Sequence, residues 1–123
     1  MHVLAAKRIL VVEDTFLIAL MVSEALDGAG ALVVGPVQTL REGLALAQAE
    51  PLDAAVLDIN LRGEFSDPIA AALQQRGIPF VVATGYGEQH ALTTVGAPVL
   101  RKPYTGEQLL EVVSGLLART SPA

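Results

Sequence analysis

The chain has 123 residues, enough for one domain with a single core, and no cysteine, which removes disulfide staples and thiolate chemistry. Eight basic against thirteen acidic residues give a net charge of −5, and without a basic cluster or many aromatics direct nucleic-acid binding is disfavoured. No charged leader precedes an apolar core and the apolar runs fall far short of a membrane span, so a soluble, cytoplasmic protein with no membrane association is expected, holding any phosphate locally with a metal.

Lys7-Arg-Ile-Leu-Val-Val12 is a β-branched apolar run with a polar start, read as a strand buried on both faces, and it ends in Glu13-Asp14. A helix follows over 15–30, capped by Asp14 or Thr15 and closed by Gly28-Ala-Gly30. Its run from Phe16 to Val22 is apolar nearly all round, so it is either deeply packed or offers apolar area to a partner. Residues 31–35 form a second short strand stopped by Gly35-Pro36, and the capping-box pattern Thr39-Leu-Arg-Glu42 opens a helix ended by Pro51.

The run 54–57 is apolar and ends abruptly in Asp58, the way a buried strand delivers one charged side chain to a sheet edge. Residues 60–66 read as a loop, and Asp67-Pro68 supplies a cap and a first-turn proline for a helix reaching Arg76, stopped by Gly77. Pro79-Phe-Val-Val-Ala-Thr84 is a fourth strand ending in a hydroxyl. In 85–96 glycines and paired threonines interrupt a short helix over 88–94, and this stretch is expected to be mobile. Pro98-Val-Leu-Arg-Lys102 is the fifth strand, ending in an ammonium before Pro103. Thr105-Gly-Glu-Gln108 opens the last helix, whose stripe is Leu109, Val112, Val113 and Leu116; Leu110 and Leu117 lie off it, a weak sign of a homodimer.

Five strands alternating with helices predict an α/β doubly wound parallel sheet, order 2-1-3-4-5, with helices on both faces. Ligands in such folds bind at the carboxyl ends of the strands, where the strand order reverses, here between strands one and three. That edge carries Glu13 and Asp14, then Asp58, then Thr84, then Lys102. Three carboxylates in one cleft repel one another, and a hard divalent cation with oxygen ligands, Mg²⁺, relieves them most cheaply at neutral pH. Such a cation keeps positions open for phosphate oxygens, Lys102 adds a second positive charge and Thr84 a hydroxyl. Phosphoryl transfer is catalysed mainly by positioning and charge neutralisation, so a plain carboxylate can be the nucleophile, and Asp58, alone on the central strand, is the candidate.

Val11-Val-Glu-Asp14, Leu57-Asp58-Ile-Asn60, Ala83-Thr84-Gly85 and Lys102-Pro103, at successive strand ends across almost the whole chain, resemble the signature of response-regulator receiver domains. The resemblance implies a flavodoxin-like receiver fold, a single receiver domain over 1–123 with its core at about 7–119, and no output domain. It implies that Asp58 takes a phosphoryl group from a phosphohistidine on a sensor histidine kinase or histidine phosphotransfer protein, altering partner binding. Asp14 and Asp58 would bind Mg²⁺ directly, Glu13 through water and Asn60 through its backbone carbonyl, while Thr84 and Lys102 contact the phosphoryl oxygens. The Lys102-Pro103 peptide would be cis. The chain would be no enzyme beyond self-phosphorylation and autodephosphorylation.

Many receivers place a switch aromatic three residues before the lysine, where this chain has Val99. Val82-Ala-Thr-Gly-Tyr86 is similar to the Phe-Ala-Thr-Gly-hydrophobic-Tyr pattern of a subgroup common among single-domain regulators, with Val82 for the phenylalanine and Gly87 for the final tyrosine. Activation would then act through Gly85, Tyr86 and the stretch after them. Receivers commonly present their first helix to the kinase's helical bundle, which makes Phe16, Ala19 and Leu20 the expected partner face. Two other functions compete. A docking module independent of phosphorylation would keep the same residues; a phosphoaspartate-type phosphohydrolase would need a second aspartate where this chain has Asn60.

Overall fold

Apolar runs with no polar face must be covered on both sides, and in the computed structural model, which describes residues 3–85 and 96–120, they become the middle of one sheet. The elements run β1 (Arg8–Val12), α1 (Phe16–Gly28), β2 (Leu32–Val37), α2 (Leu40–Ala49), β3 (Ala54–Asp58), β4 (Asn60–Leu61), β5 (Glu64–Phe65), α3 (Asp67–Gln75), β6 (Phe80–Thr84), β7 (Val99–Arg101) and α4 (Gly106–Thr120). Every residue of β3 and β6 is buried, whereas β2 and β7 are edge strands with exposed positions. The sheet is parallel in the order β2-β1-β3-β6-β7, which is the expected doubly wound arrangement with a separate β4-β5 hairpin inserted after β3.

Side chains alternate across a strand, and β1 feeds two cores in that way. Ile9 and Val11 join Val22 and Leu26 of α1 and Leu109 and Val113 of α4, while Leu10 and Val12 join Leu57, Ile69 and Leu73 on the other face. Each fully buried aliphatic side chain contributes about 1.5–3 kcal/mol, so the two faces hold the fold together about equally. Gly43 sets how close α2 comes. A Cβ there would lie 2.7 Å from Ile69 Cδ1 and 3.1 Å from Val12, so only glycine lets the helix rest on β1 and α3 at this distance.

Both caps form, and at Thr105 the capping box is reciprocal, whereas at Thr39 the hydroxyl also donates to Glu42 Oε1 at 3.0 Å. The Glu42 N–H donates to Thr39 Oγ1 at 3.1 Å, and the Gln108 N–H donates to Thr105 Oγ1 at 3.1 Å while the Thr105 N–H donates to Gln108 Oε1 at 2.8 Å. Four local expectations are corrected. The strand β2 does not stop at Gly35-Pro36 but runs to Val37 through a register shift, because a proline on an edge strand removes no ladder bond that the sheet needs. The helix α1 ends at Gly28, and neither Asp14 nor Thr15 caps it through a side chain; the Thr15 N–H donates to Glu13 Oε2 at 3.0 Å. Ser66, not Asp67, occupies the N-cap of α3, with Asp67 inside the first turn. The 60–66 loop contains the β4-β5 hairpin, turned by Arg62 at φ 56 and Gly63 at φ 92, both positive as a two-residue hairpin turn demands. Leu117 is buried in the core and Leu110 packs against it, so the off-stripe leucines of the last helix form no exposed face. The helix expected over 88–94 lies outside the described residues. Among the described residues no helix is long and apolar enough to cross a membrane.

Candidate functional site

Parallel pairing lines up the strand ends. Val12 pairs with Leu57, Asp58 with Ala83 and Thr84 with Arg101, so Glu13, Asp58, Thr84 and Lys102 emerge side by side at the carboxyl edge. Glu13 is 2%, Asp58 3% and Thr84 1% exposed, so the site is sunk into the end of the sheet, and Asp14 closes it as the half-buried member. Each of Glu13, Asp14 and Asp58 offers a carboxylate oxygen, and these three lie within 4.8 Å of one another. Lys102 bridges the two buried carboxylates, its Nζ 3.0 Å from Glu13 Oε1 and 3.0 Å from Asp58 Oδ2.

One ammonium does not neutralise three carboxylates, and the ionisation equilibria respond. Burial, then the negative charge of Glu13, pushes the Asp58 carboxyl up to about 8, with Lys102 offsetting only part. Burial also opposes ionisation of Asp14, yet hydrogen bonding with Asp58 and Glu13 and from the Arg62 N–H outweighs it, holding that carboxyl below its ordinary value. For Lys102, burial is outweighed by Asp58 and Glu13, which raise the ammonium above its usual range. The environment thus moves the Asp14 and Asp58 carboxyls apart, the first held down and the second pushed up. An all-oxygen donor set of three carboxylates suits a hard cation such as Mg²⁺ and not a thiolate- or imidazole-loving metal.

The other residues singled out by the sequence divide. Asn60 opens β4 beside the pocket, and its side-chain carbonyl accepts the Gly63 N–H at 2.7 Å. The Thr84 hydroxyl donates to the Gly85 carbonyl at 3.3 Å. The Lys102-Pro103 peptide is cis, as is Gly35-Pro36. Val99 pairs with Val82 on the edge strand β7 and is partly exposed; Tyr86 lies outside the described residues. On α1, Phe16 and Leu17 are 65% and 73% exposed and Leu20 is exposed too, but Ala19 faces the core and leaves the expected partner face. In a helix apolar nearly all round, periodicity does not tell which side turns inward.

Two residues of the site carry almost no sequence signal. Arg62 donates its N–H to Asp14 Oδ2 at 3.0 Å, marked only by a positive-φ pair that could have been read from Arg62-Gly63. Tyr104 lies buried two residues beyond Lys102, with a hydroxyl that finds no partner among the described residues. Burial, with the charges of Glu13 and Asp58, raises that phenol above its ordinary range. Its only mark in the sequence is an aromatic directly after Lys-Pro.

The acidic pocket and its bridging lysine lie at the switch point of a doubly wound parallel sheet, the edge where ligands bind in this fold class. The family model "Response regulator receiver domain" matches residues 9–114, and the chain belongs to that family. Among solved structures it is similar to SdrG from Sphingomonas melonis Fr1, with 41% identity over 95% of this chain and 99% of that one and a TM-score of 0.79. It is also similar to a CheY-like receiver domain protein from Methanospirillum hungatei JF-1, with 28% identity, 94% and 96% coverage and a TM-score of 0.80. A response regulator receiver protein from Sinorhizobium medicae WSM419 shares 25% identity over 92% and 95% of the two chains, with a TM-score of 0.79. No curated protein is similar enough to match. Neither the family match nor these structures assign the chain to the Phe-Ala-Thr-Gly subgroup. Receiver domains are signalling modules that partner a histidine kinase or phosphotransfer protein, and they bind Mg²⁺ through an acidic cluster of this kind.

Proposed function

We propose that this chain is a phosphoacceptor of a two-component system or phosphorelay, in which Asp58 takes a phosphoryl group from a phosphohistidine and thereby alters partner binding. The observation that carries the proposal is Asp58 itself: 3% exposed, central on the sheet edge, with an ammonium 3.0 Å away and two more carboxylates beside it. An ion-pair site buried this deeply is a poor device for stability, since a well-packed apolar cluster serves a core at least as well.

In the reaction an Asp58 oxygen attacks phosphorus in line with the phosphorus–nitrogen bond. A P–O bond forms, the P–N bond breaks, and its electron pair leaves with the imidazole. Glu13, Asp14, Asp58 and the backbone carbonyl of Asn60 would hold Mg²⁺, which when bound supplies positive charge to the phosphoryl oxygens. The Lys102 ammonium keeps its contact with Glu13 and turns the one now given to Asp58 toward a phosphoryl oxygen. The Thr84 hydroxyl exchanges the Gly85 carbonyl for another phosphoryl oxygen, pulling on the segment that begins at Gly85. With Val99 in place of an aromatic, the structural response passes through that segment and not through a rotating ring. Phe16, Leu17 and Leu20, exposed on α1 directly after the acidic pair, form the face on which the phosphodonor's helices dock.

Intact mass after incubation with acetyl phosphate tests the proposal. The wild type should gain one phosphoryl group only with Mg²⁺, and Asp58→Asn should gain none. An unchanged wild-type mass would leave a docking module that has kept the residues without the reaction.

A further inference from the structure

Arg62 has no part in the chemistry just described, yet it adopts a backbone conformation that side chains avoid. It sits at φ 56 and Gly63 at φ 92, and the turn is locked by the Gly63 N–H donating to Asn60 Oδ1 at 2.7 Å. The turn brings the Arg62 N–H to Asp14 Oδ2 at 3.0 Å, across 48 residues of sequence. The guanidinium of the same residue reaches the Asp14 carbonyl at 3.5 Å and Gln38 Oε1 at 3.3 Å, so the segments after β1, β2 and β3 meet at one side chain.

Asp14 is the member of the pocket most in need of a restraint. Glu13 and Asp58 are buried and bridged by Lys102, whereas Asp14 is half-buried, has no ion pair among the described residues and, beyond the neighbouring carboxylates of Asp58 and Glu13, is met by the Arg62 N–H. A carboxylate free to change rotamer must be ordered when it takes a cation, and that ordering weakens binding unless it has already been done.

We propose that the Asn60–Phe65 hairpin is a positioning element for the cation: the Arg62 peptide N–H fixes the Asp14 carboxylate in the pocket before Mg²⁺ arrives. The inference rests on the reading of the pocket as a Mg²⁺ site. The N–H is a main-chain donor, so the required feature is the turn and not the arginine side chain. Hydrogen-bond partners of metal ligands are commonly worth about tenfold or more in affinity.

The test is a Mg²⁺ titration of the full chain by ¹H–¹⁵N NMR, following the Asp58 and Lys102 amides. Arg62→Pro removes the N–H and, with its φ fixed at about −65°, also breaks the positive-φ turn, and should raise the Mg²⁺ dissociation constant about tenfold. Arg62→Gly keeps the N–H and adopts the turn freely, so it should bind within about threefold of wild type. Gly63→Val places a β-branched residue at φ 92 in open space, where the added Cβ meets nothing, and should weaken binding in the same direction; it also serves if the proline variant does not fold. Wild-type saturation with equal affinity in Arg62→Pro and Gly63→Val overturns this inference alone. An equal loss in Arg62→Gly and Arg62→Pro overturns it too, by assigning the effect to the guanidinium. A wild type that shows no saturation overturns the inference together with the reading of the pocket.

Discussion

Replacing Asp58 by asparagine should stabilise the Mg²⁺-free protein in a pH-dependent way. The folded chain holds the Asp58 proton far more tightly than the unfolded chain does, with the carboxyl moved from 3.8 to about 8. Because the folded value is the raised one, this contribution is fully present below pH 4 and is lost as pH rises toward 8. Every tenfold difference in proton affinity between the folded and unfolded chain corresponds to about 1.4 kcal/mol, which at pH 7 sets a ceiling of about 4 kcal/mol. Solvent screening removes little of this, since the Asp58 side chain is only 4% exposed, but relaxation of the surrounding pocket reduces it to about 2 kcal/mol. Asparagine keeps an oxygen for the Lys102 ammonium and has no proton to lose. Thermal melts of both proteins in a chelator should nearly coincide at pH 4 and separate by about 8 °C at pH 7, the variant melting higher. Added Mg²⁺ should narrow the gap by stabilising the wild type. A gap independent of pH, or a variant that melts lower at pH 7, would refute the reasoning.

Mg²⁺ binding should expel the Asp58 proton, so its affinity should climb with pH up to about 8; calorimetry in buffers of differing ionisation heat should show close to one proton released at pH 7, and none would contradict the assigned carboxyl value. Lys102→Met removes the ammonium that bridges the buried Glu13 and Asp58 side chains and should cost about 3 kcal/mol by urea unfolding at pH 7 and slow labelling by acetyl phosphate at least about tenfold; an unchanged labelling rate would remove Lys102 from the chemistry. Gly43→Ala forces a Cβ against Ile69 and Val12 and should destabilise by about 1–3 kcal/mol despite the better helix propensity, with labelling of the folded protein unaffected; a higher melting temperature would show that the contact yields. Leu17→Glu, on the exposed face of α1, should slow transfer from a histidine kinase while leaving melting and acetyl phosphate labelling unchanged, whereas Ala19→Glu, pointing into the core, should lose the fold; equal stability losses would refute the docking face.

The strand ends were legible because each interior strand is an apolar run broken by one polar side chain. Glu13, Asp58 and Thr84 stand out for that reason and Lys102 as the cation just before Pro103, and the alternation of strands with helices then places them on one edge. Features decided by tertiary packing were not legible. Two-residue strands carry no periodicity, so the β4-β5 hairpin read as a loop, and with it went the Arg62 contact to Asp14. Ala19 and Leu17 cannot be told apart in a helix apolar nearly all round until β1 and α4 cover one side of it. Gly35-Pro36 ends a strand by local rules, but on the edge strand β2 the missing N–H costs nothing. Ser66 and Asp67 are equally good N-cap residues by type, and only the chain direction after β5 selects the serine.

The central claim is that the phosphoryl group resides on Asp58 as an acyl phosphate. Borohydride reduces an acyl phosphate of aspartate to homoserine and leaves free carboxylates untouched. Protein treated with acetyl phosphate and Mg²⁺, then reduced, digested and sequenced by mass spectrometry, should carry homoserine at position 58 and at neither Asp14 nor Asp53. Homoserine at another aspartate, or none in protein whose mass shows a phosphoryl group, would contradict the account.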